Sequence, residues 1–379
     1  MLKPKPKIYF IATLEMAINV FLLNHLKKLS KYYDLTIIVN TTDPLFLKKQ
    51  GLNLKVIPLN IHRNIRIFSD FFCLIRLIYI FIKYKPNAVH SITPKAGLLA
   101  MLASFIALTP LRIHTFTGQV WATQHGFKKY MLKCFDQLIA CLSTFNIVDS
   151  MSQQKFLISQ NILSENKSIV FGSGSVAGVD LKKFKPNKLL FSEVRNKLLI
   201  SKNALIFIYL GRLTKDKGVL DLAEAFSLMN SKKAYLIFVG PDEGDYVKKI
   251  SEINSLKLDK LRFVNYTKLP EQYLAASDVL CLPSYREGFG TVIIEAAATK
   301  VPAIGSNIYG IADAILDRKS GLIHPPGNIK AILKCMNFFI KNRSKIKAFG
   351  KTARTRVINE FDSNQMSNNW LDFYNRKII

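Results

Sequence analysis

The order of apolar runs constrains this chain more than any other feature. Short runs rich in Val, Ile and Phe alternate with longer segments of helical character from residue 8 onward. Strands are expected at residues 8–12, 34–39, 54–58, 88–91, 112–116, 145–149 and 169–171, with helices at 17–31, 66–84, 95–107 and 126–142 between them. A basic stretch of weak pattern follows at 181–200, and then the alternation restarts. Six more strands are expected at residues 204–210, 234–239, 261–265, 279–282, 301–305 and 321–324. Strands separated by helices pair in parallel, giving a sheet wrapped on both faces. Two such α/β units are expected to place a ligand in the cleft between them, at the carboxyl ends of the strands.

A chain of 379 residues suits two cores, since single cores stop growing at about 250–300 residues. The boundaries expected are 1–185 and 186–356, with a final helix at about 357–379 packing back on the first domain. Hydrophobic residues make up 49% and charged residues 21%, which is a globular composition. The charge is one-sided: 54 Lys+Arg against 26 Asp+Glu give a formal net charge of +28. Such a surplus attracts polyanions, either nucleic acid or an anionic membrane face. Zinc-finger spacing, RNP-like runs and basic heptads are all missing from the sequence, which weighs against nucleic acid. Cys73, Cys134, Cys141, Cys281 and Cys335 are odd in number and lack metal-ligand spacing, so buried, reduced thiols in a cytoplasmic protein are expected. Residues 1–7 are basic, but Glu15 and Asn19 interrupt the apolar run behind them, so a first strand and helix is expected rather than a signal peptide. Residues 71–83 and 98–108 are apolar helix candidates too short or too charged to span a bilayer. They read as core helices, or as a face that dips into lipid headgroups.

Glycine-bearing loops follow the expected strands at Gly211, Gly240, Gly288 and Gly305. The richest is Ser284-Tyr-Arg-Glu287-Gly288-Phe289-Gly290-Thr291-Val-Ile-Ile-Glu295, which runs from a loop directly into a strong helix former. A helix opening in a glycine loop presents unpaired backbone N–H groups and a positive dipole end, which suits a diphosphate. Two acceptor-only glutamates beside it suit sugar hydroxyls. A core helix with a solvated acid at each end is the plainer alternative, and Arg212 and Lys217 alone would be two solvated charges on a loop.

Gly211-Arg212-Leu-x-x-x-Lys217-Gly218, the 284–295 stretch, Gly178-Val-Asp180 and Gly310-Ile-Ala-Asp313 resemble family 4 of the retaining glycosyltransferases in order and spacing. The resemblance covers nearly the whole chain and is strongest over residues 200–330. It implies the GT-B fold, two Rossmann-like parallel-sheet domains facing each other across a cleft. In the first half, His90-Ser-Ile-Thr-Pro-Lys95-Ala-Gly97 and His114-Thr-Phe-Thr-Gly118-Gln-Val-Trp121 resemble the branch that builds bacterial O-antigen, lipopolysaccharide and capsule chains. The implied reaction moves a hexose, such as an N-acetylhexosamine, from a UDP-sugar to a lipid-diphosphate-linked acceptor at the inner face of the membrane. Arg212 and Lys217 would clamp the donor diphosphate. Glu287 and the backbone of Gly288, Phe289 and Gly290, with Thr291 opening the helix, would read the sugar and diphosphate. Glu295 would take the ribose hydroxyls, while Gly211, Gly240, Pro241 and Tyr266 border the nucleotide; Tyr266 reads equally as a core aromatic.

No Asp-x-Asp triplet occurs, so transfer without a metal or other cofactor is expected. The resemblance implies front-face attack, because no residue can be named as a protein nucleophile. On the acceptor or sugar side the candidates are Thr13, His90, His114, Thr117 and Gly118; for the two histidines, each alone at a strand edge, a structural role is the plainer reading. Departures from the family fall here: Thr13-Leu14-Glu15-Met16 replaces paired glycines, and Thr117 stands where relatives carry His. Asn328 replaces a frequent Asp. The alternatives are a non-hydrolysing UDP-sugar epimerase, whose acid/base residues cannot be found, and a non-catalytic sugar-nucleotide or nucleic-acid binding protein.

Overall fold

The computed structural model of the chain describes residues 4–378; the first three residues of the basic N-terminal stretch, and Ile379, lie outside the described residues. The chain divides into two compact units, residues 1–177 with 363–379, and 178–362. In the first unit, seven strands form one sheet: β1 (Lys7–Ala12), β2 (Asp34–Val39), β3 (Lys55–Pro58), β4 (Ala88–Ile92), β5 (Leu111–Phe116), β6 (Phe145–Val148) and β7 (Ser168–Ile169). Their order is β3-β2-β1-β4-β5-β6-β7, parallel throughout. The second unit has β8 (Leu205–Leu210), β9 (Ala234–Val239), β10 (Leu261–Val264), β11 (Val279–Leu282), β12 (Ala303–Ser306) and β13 (Gly321–His324). Its sheet, also parallel, runs β10-β9-β8-β11-β12-β13.

Strand direction and order fix where ligands can sit. The winding reverses between β1 and β4 in the first sheet and between β8 and β11 in the second. At such a reversal the flanking loops part and leave a crevice at the carboxyl edge. β8 is buried over residues 205–209 and β11 over its whole length, as doubly covered parallel strands must be.

The crossings between units fall at 177/178 and 362/363, several residues from the boundaries expected at 185 and 356. Val179 and Phe184 are buried in the second unit's core, and the Val179 backbone N–H donates to the Phe361 carbonyl at 2.7 Å. The expected helix at 357–379 is two helices, Arg343–Glu360 and Ser363–Lys377. The break between them is set by Phe361, fully buried with its ring 5.3 Å from that of Phe289. The five cysteines are free, but Cys141 is exposed and Cys134 and Cys335 are half-buried. Their helices offer an apolar face only on one side, so the expectation that all five are buried fails. The expected helix at 17–31 contains a five-residue π-helical stretch, Ile18–Leu22.

The helix Ser363–Lys377 packs on the first sheet through a ring stack. Trp370 lies between His25 (centroids 4.7 Å apart) and His90 (4.9 Å), and Phe10 stacks on the far side of His90 at 5.3 Å. All four rings are buried. His25 meets the Val176 carbonyl at 2.6 Å and the Ser367 hydroxyl at 2.9 Å. Burial holds the His25 imidazole down at about 4, partly opposed by the Val176 carbonyl. His90 lies well below its usual range, through burial and the charges that His114 and His25 would carry.

Above 6.5 neither the folded nor the unfolded chain protonates these rings, and their full contribution is present. As pH falls through 6.5 the unfolded chain takes up protons that the folded unit refuses. Stability then drops by up to about 1.4 kcal/mol per pH unit for each ring, until His25 itself protonates near 4. Both tryptophans, Trp121 and Trp370, lie in this unit, so their fluorescence follows its unfolding. The thermal midpoint is expected to fall between pH 7 and pH 5, and to fall less in His25→Gln. Equal slopes in the two proteins would show that His25 does not carry the effect.

Candidate active site

The second unit gathers its polar loops at the carboxyl ends of β8 and β11, the strands flanking the reversal. Residues 211–218 follow β8 and residues 283–290 follow β11. They approach so closely that a Cβ on Gly218 would stand 2.1 Å from the Pro283 carbonyl oxygen, with φ at +66°. Only glycine fits there, on both grounds. Gly240 plays the same part between the β9 and β8 loops: a Cβ would meet the Gly211 carbonyl oxygen at 2.0 Å. Backbone bonds lace those two loops, Leu213 N–H to Pro241 O at 2.9 Å and Glu243 N–H to Leu213 O at 3.2 Å.

The charged side chains of these loops pair across them. The Lys217 ammonium stands 2.5 Å from the Glu287 carboxylate, both largely shielded from solvent, and the Ser284 hydroxyl donates to the same oxygen at 2.9 Å. Arg286 holds Asp216 at 2.9 Å, and the Tyr285 N–H donates to the Asp216 carbonyl. Burial pushes the Asp216 carboxyl up, but the Thr214 hydroxyl, Arg286 and Lys217 together bring it below the usual range. Arg212 pairs with Glu243 at 2.6 Å, nearer solvent. A partly exposed pair of this kind contributes about 0–1 kcal/mol, so its partners can separate at small cost. The buried Tyr209 hydroxyl donates to the Arg212 carbonyl at 2.6 Å, fixing the loop from below.

Gly290, at φ +74°, leads into the helix Thr291–Ala298. Gly288 and Phe289 are buried, and Phe289 points its ring into the core, so only its backbone can serve a ligand. Glu295, in the second turn, is half-buried, and among the described residues none donates a hydrogen bond to its carboxylate. Burial pushes its carboxyl up to about 7, with Lys183 lowering and Glu271 raising it; those two side chains pair with each other at 3.6 Å. A half-buried carboxylate with open acceptor positions suits a pair of hydroxyl donors. Tyr266, just beyond β10, is 63% exposed, which settles its character as surface rather than core.

Residues expected on the other side scatter. Thr13 and Thr93 meet hydroxyl to hydroxyl at 2.7 Å, at the ends of β1 and β4 and so at the first sheet's reversal. Thr93 holds φ +77°, rare for a β-branched residue and a mark of a position fixed by its surroundings. Thr93 is not among the expected site residues; the Thr-Pro step that opens the helix Pro94–Ile106 is the one sequence signal for it. His90 and His114 are 1% exposed. Both His90 ring nitrogens are engaged, by Tyr374 at 2.6 Å and Thr115 at 2.7 Å, and His114 bonds Ser91 at 2.8 Å. Burial drives His114 down to about 3. Neither ring is open to solvent, because side chains alternate across β4 and β5 and these point into the layers that cover the sheet. Thr117 and Gly118 are half-buried beyond β5, Gly118 at φ +126°. Glu243, Asp216 and Arg286, which pair within the loops of the second unit, were also absent from the sequence expectation; nothing local marks them.

Parallel sheets with polar glycine loops at the reversal define a nucleotide-binding α/β architecture. Residues 191–356 match the family model of group 1 glycosyl transferases, and residues 7–146 match that of glycosyl transferase 4-like proteins. The capsular polysaccharide biosynthesis glycosyltransferase CapM of Staphylococcus aureus is 34% identical over 317 residues, 81% of each chain. An Escherichia coli UDP-Gal:alpha-D-GlcNAc-diphosphoundecaprenol alpha-1,3-galactosyltransferase is 27% identical, over 79% of this chain and 78% of its own. Among solved structures, HepE of Anabaena in complex with UDP and glucose superposes with a TM-score of 0.83 at 18% identity, covering 98% of this chain and 100% of that one. The chain belongs to family 4 of the GT-B glycosyltransferases.

Proposed function

We propose that this chain is a retaining hexosyltransferase that uses a UDP-sugar and extends a lipid-diphosphate-linked glycan, at the inner face of a bacterial membrane, in surface polysaccharide synthesis. The observation that carries this reading is the Lys217–Glu287 pair that joins the loops after β8 and β11, with Arg212 on the same β8 loop against Glu243 and the helix Thr291–Ala298 opening beside them. The similarity to CapM and to the diphosphoundecaprenol galactosyltransferase supports the choice of product and acceptor. The second unit is the donor domain in this reading, and the first holds the acceptor.

Chemically, the bond from the anomeric carbon to the leaving diphosphate oxygen breaks as the acceptor oxygen bonds the same face. The acceptor's proton passes to the leaving diphosphate. Lys217 and Arg212, with the helix dipole, neutralise the charge that grows there, the work a metal does elsewhere. Glu287, held by Lys217 and Ser284, faces the sugar, and Glu295 receives the ribose hydroxyls.

Binding of UDP-, GDP- and dTDP-sugars to the purified protein and to Glu295→Gln tests the reading. The UDP-sugar is expected to bind best, and the substitution to weaken it by about 10–100-fold, the worth of a hydrogen bond to a charged group. Turnover with a lipid-linked acceptor is expected to fall with it. Failure of all three nucleotide sugars to bind would refute the donor site. A salt-dependent affinity for nucleic acid that survives the Glu295 change would favour a binding protein instead.

A further inference from the structure

The helices Ile67–Tyr84, Pro94–Ile106 and Gly126–Leu142 share the same face of the first sheet, burying Leu77, Ala100 and Ile139 in a common cluster. The middle helix is covered by its neighbours. The outer two are not. Ile67–Tyr84 turns Phe68 (83% exposed), Phe71, Phe72, Ile75 and Tyr79 outward, and Gly126–Leu142 opens with Phe127 (80% exposed) and Tyr130. Each helix follows a strand of a parallel sheet, so both aromatic first turns lie toward the carboxyl edge. A monomer in water gains nothing from presenting so many large apolar side chains together.

The charge around them has one sign. Arg63, Arg66, Arg76, Lys83, Lys128 and Lys129 are exposed on or beside these helices. The sole acid between residues 59 and 85 is Asp70, closed off by Lys95 at 2.6 Å. Within Gly126–Leu142 it is Asp136, which is buried and accepts from the Trp121 indole at 2.7 Å. No free carboxylate on these two helices therefore opposes an anionic partner. Among the described residues no helix is long and apolar enough to cross a membrane, and Cys73, Leu77, Ile80 and Phe81 anchor the inner side of Ile67–Tyr84 in the core.

We propose that the outward face of Ile67–Tyr84, together with the first turns of Gly126–Leu142, is a docking surface for an anionic lipid bilayer. Aromatic and aliphatic side chains enter the headgroup boundary while the arginines and lysines meet lipid phosphates. A second copy of the chain would have to bring two sets of unpaired cations face to face, whereas an anionic bilayer neutralises them. The groove lined by Pro58, Leu59, Phe72, Ile75, Arg76 and Tyr79 lies on this face, open to the same lipid. The surface rests on the membrane location proposed above and names the residues that would make it.

Flotation of the full chain with vesicles of phosphatidylcholine, with and without phosphatidylglycerol, tests this. The wild-type protein is expected to float with anionic vesicles and to release as salt is raised. Phe68→Ser/Phe71→Ser is expected to bind at least about tenfold more weakly, with unchanged UDP binding and thermal midpoint, because both side chains already lie in solvent. Equal flotation of the double variant would overturn this surface while leaving a membrane location standing. No flotation of the wild type would overturn both. A dimer that the double variant abolishes, with vesicle binding kept, would reassign the face to self-association. Loss of UDP binding in the wild type would count against the transferase reading alone.

Discussion

Lys217→Ala is expected to lower the rate of sugar transfer by about 10²–10³-fold, the usual consequence of removing a preorganised charge from a developing oxyanion. The reason is local. Its ammonium is held 2.5 Å from Glu287 with 17% of the side chain exposed, so in the proposed reaction it would need little reorganisation as the leaving diphosphate forms. The fold should survive the change. Lys217 sits in a short 3-10 turn whose backbone N–H bonds the Thr214 carbonyl, and Glu287 keeps its bond from Ser284. Lys217→Arg is expected to restore only part of the rate, since a planar fork does not occupy the place of a point charge. Initial rates with a UDP-sugar donor, beside thermal midpoints for all three proteins, decide the matter. Turnover within twofold of wild type would remove Lys217 from the chemistry.

The largest effect on stability is expected from Trp370→Ala, about 3–5 kcal/mol, as for other buried aromatic truncations. The indole is fully buried between two imidazoles and beside Phe171. Its loss opens a cavity at the seat of the helix Ser363–Lys377 and takes away both stacking partners. Trp370→Phe should cost much less. The indole N–H is buried with no hydrogen-bond partner among the described residues, so phenylalanine gives up area but also removes an unsatisfied donor. Denaturant unfolding of the first unit, followed through Trp121, provides the comparison. Equal losses for the alanine and phenylalanine variants would place the energy in the ring contacts specific to indole rather than in the space it fills.

Much of this molecule was legible residue by residue. Thirteen strands were expected and thirteen occur in the two sheets, because a parallel strand covered on both faces must be an uninterrupted apolar run. The loop glycines were equally readable, since the need for positive φ or close approach is written in a single residue type. Gly218 and Gly240 both turned out to lack room for a Cβ. Strand ends were less well marked: the run expected at 169–171 pairs only as Ser168–Ile169, because pairing depends on a neighbour rather than on the run itself.

The histidines show the limit most clearly. As sequence, His90 and His114 read first as structural and second as candidates for the sugar side, and nothing local says which. Their burial and their bonds to Tyr374 and Ser91 come from residues far along the chain, and no local pattern announces them. The same holds for Lys217 and Glu287, seventy positions apart, and for Arg212 with Glu243. The alternation, the two units' class and the residue types at each strand end are readable from the residues in order. Packing alone sets which strands are neighbours, hence which loops meet at the β8–β11 reversal, which cations stand against which carboxylates, and which face of Ile67–Tyr84 is left outward. Periodicity is a property of consecutive residues, while pairing and burial are properties of the packed chain.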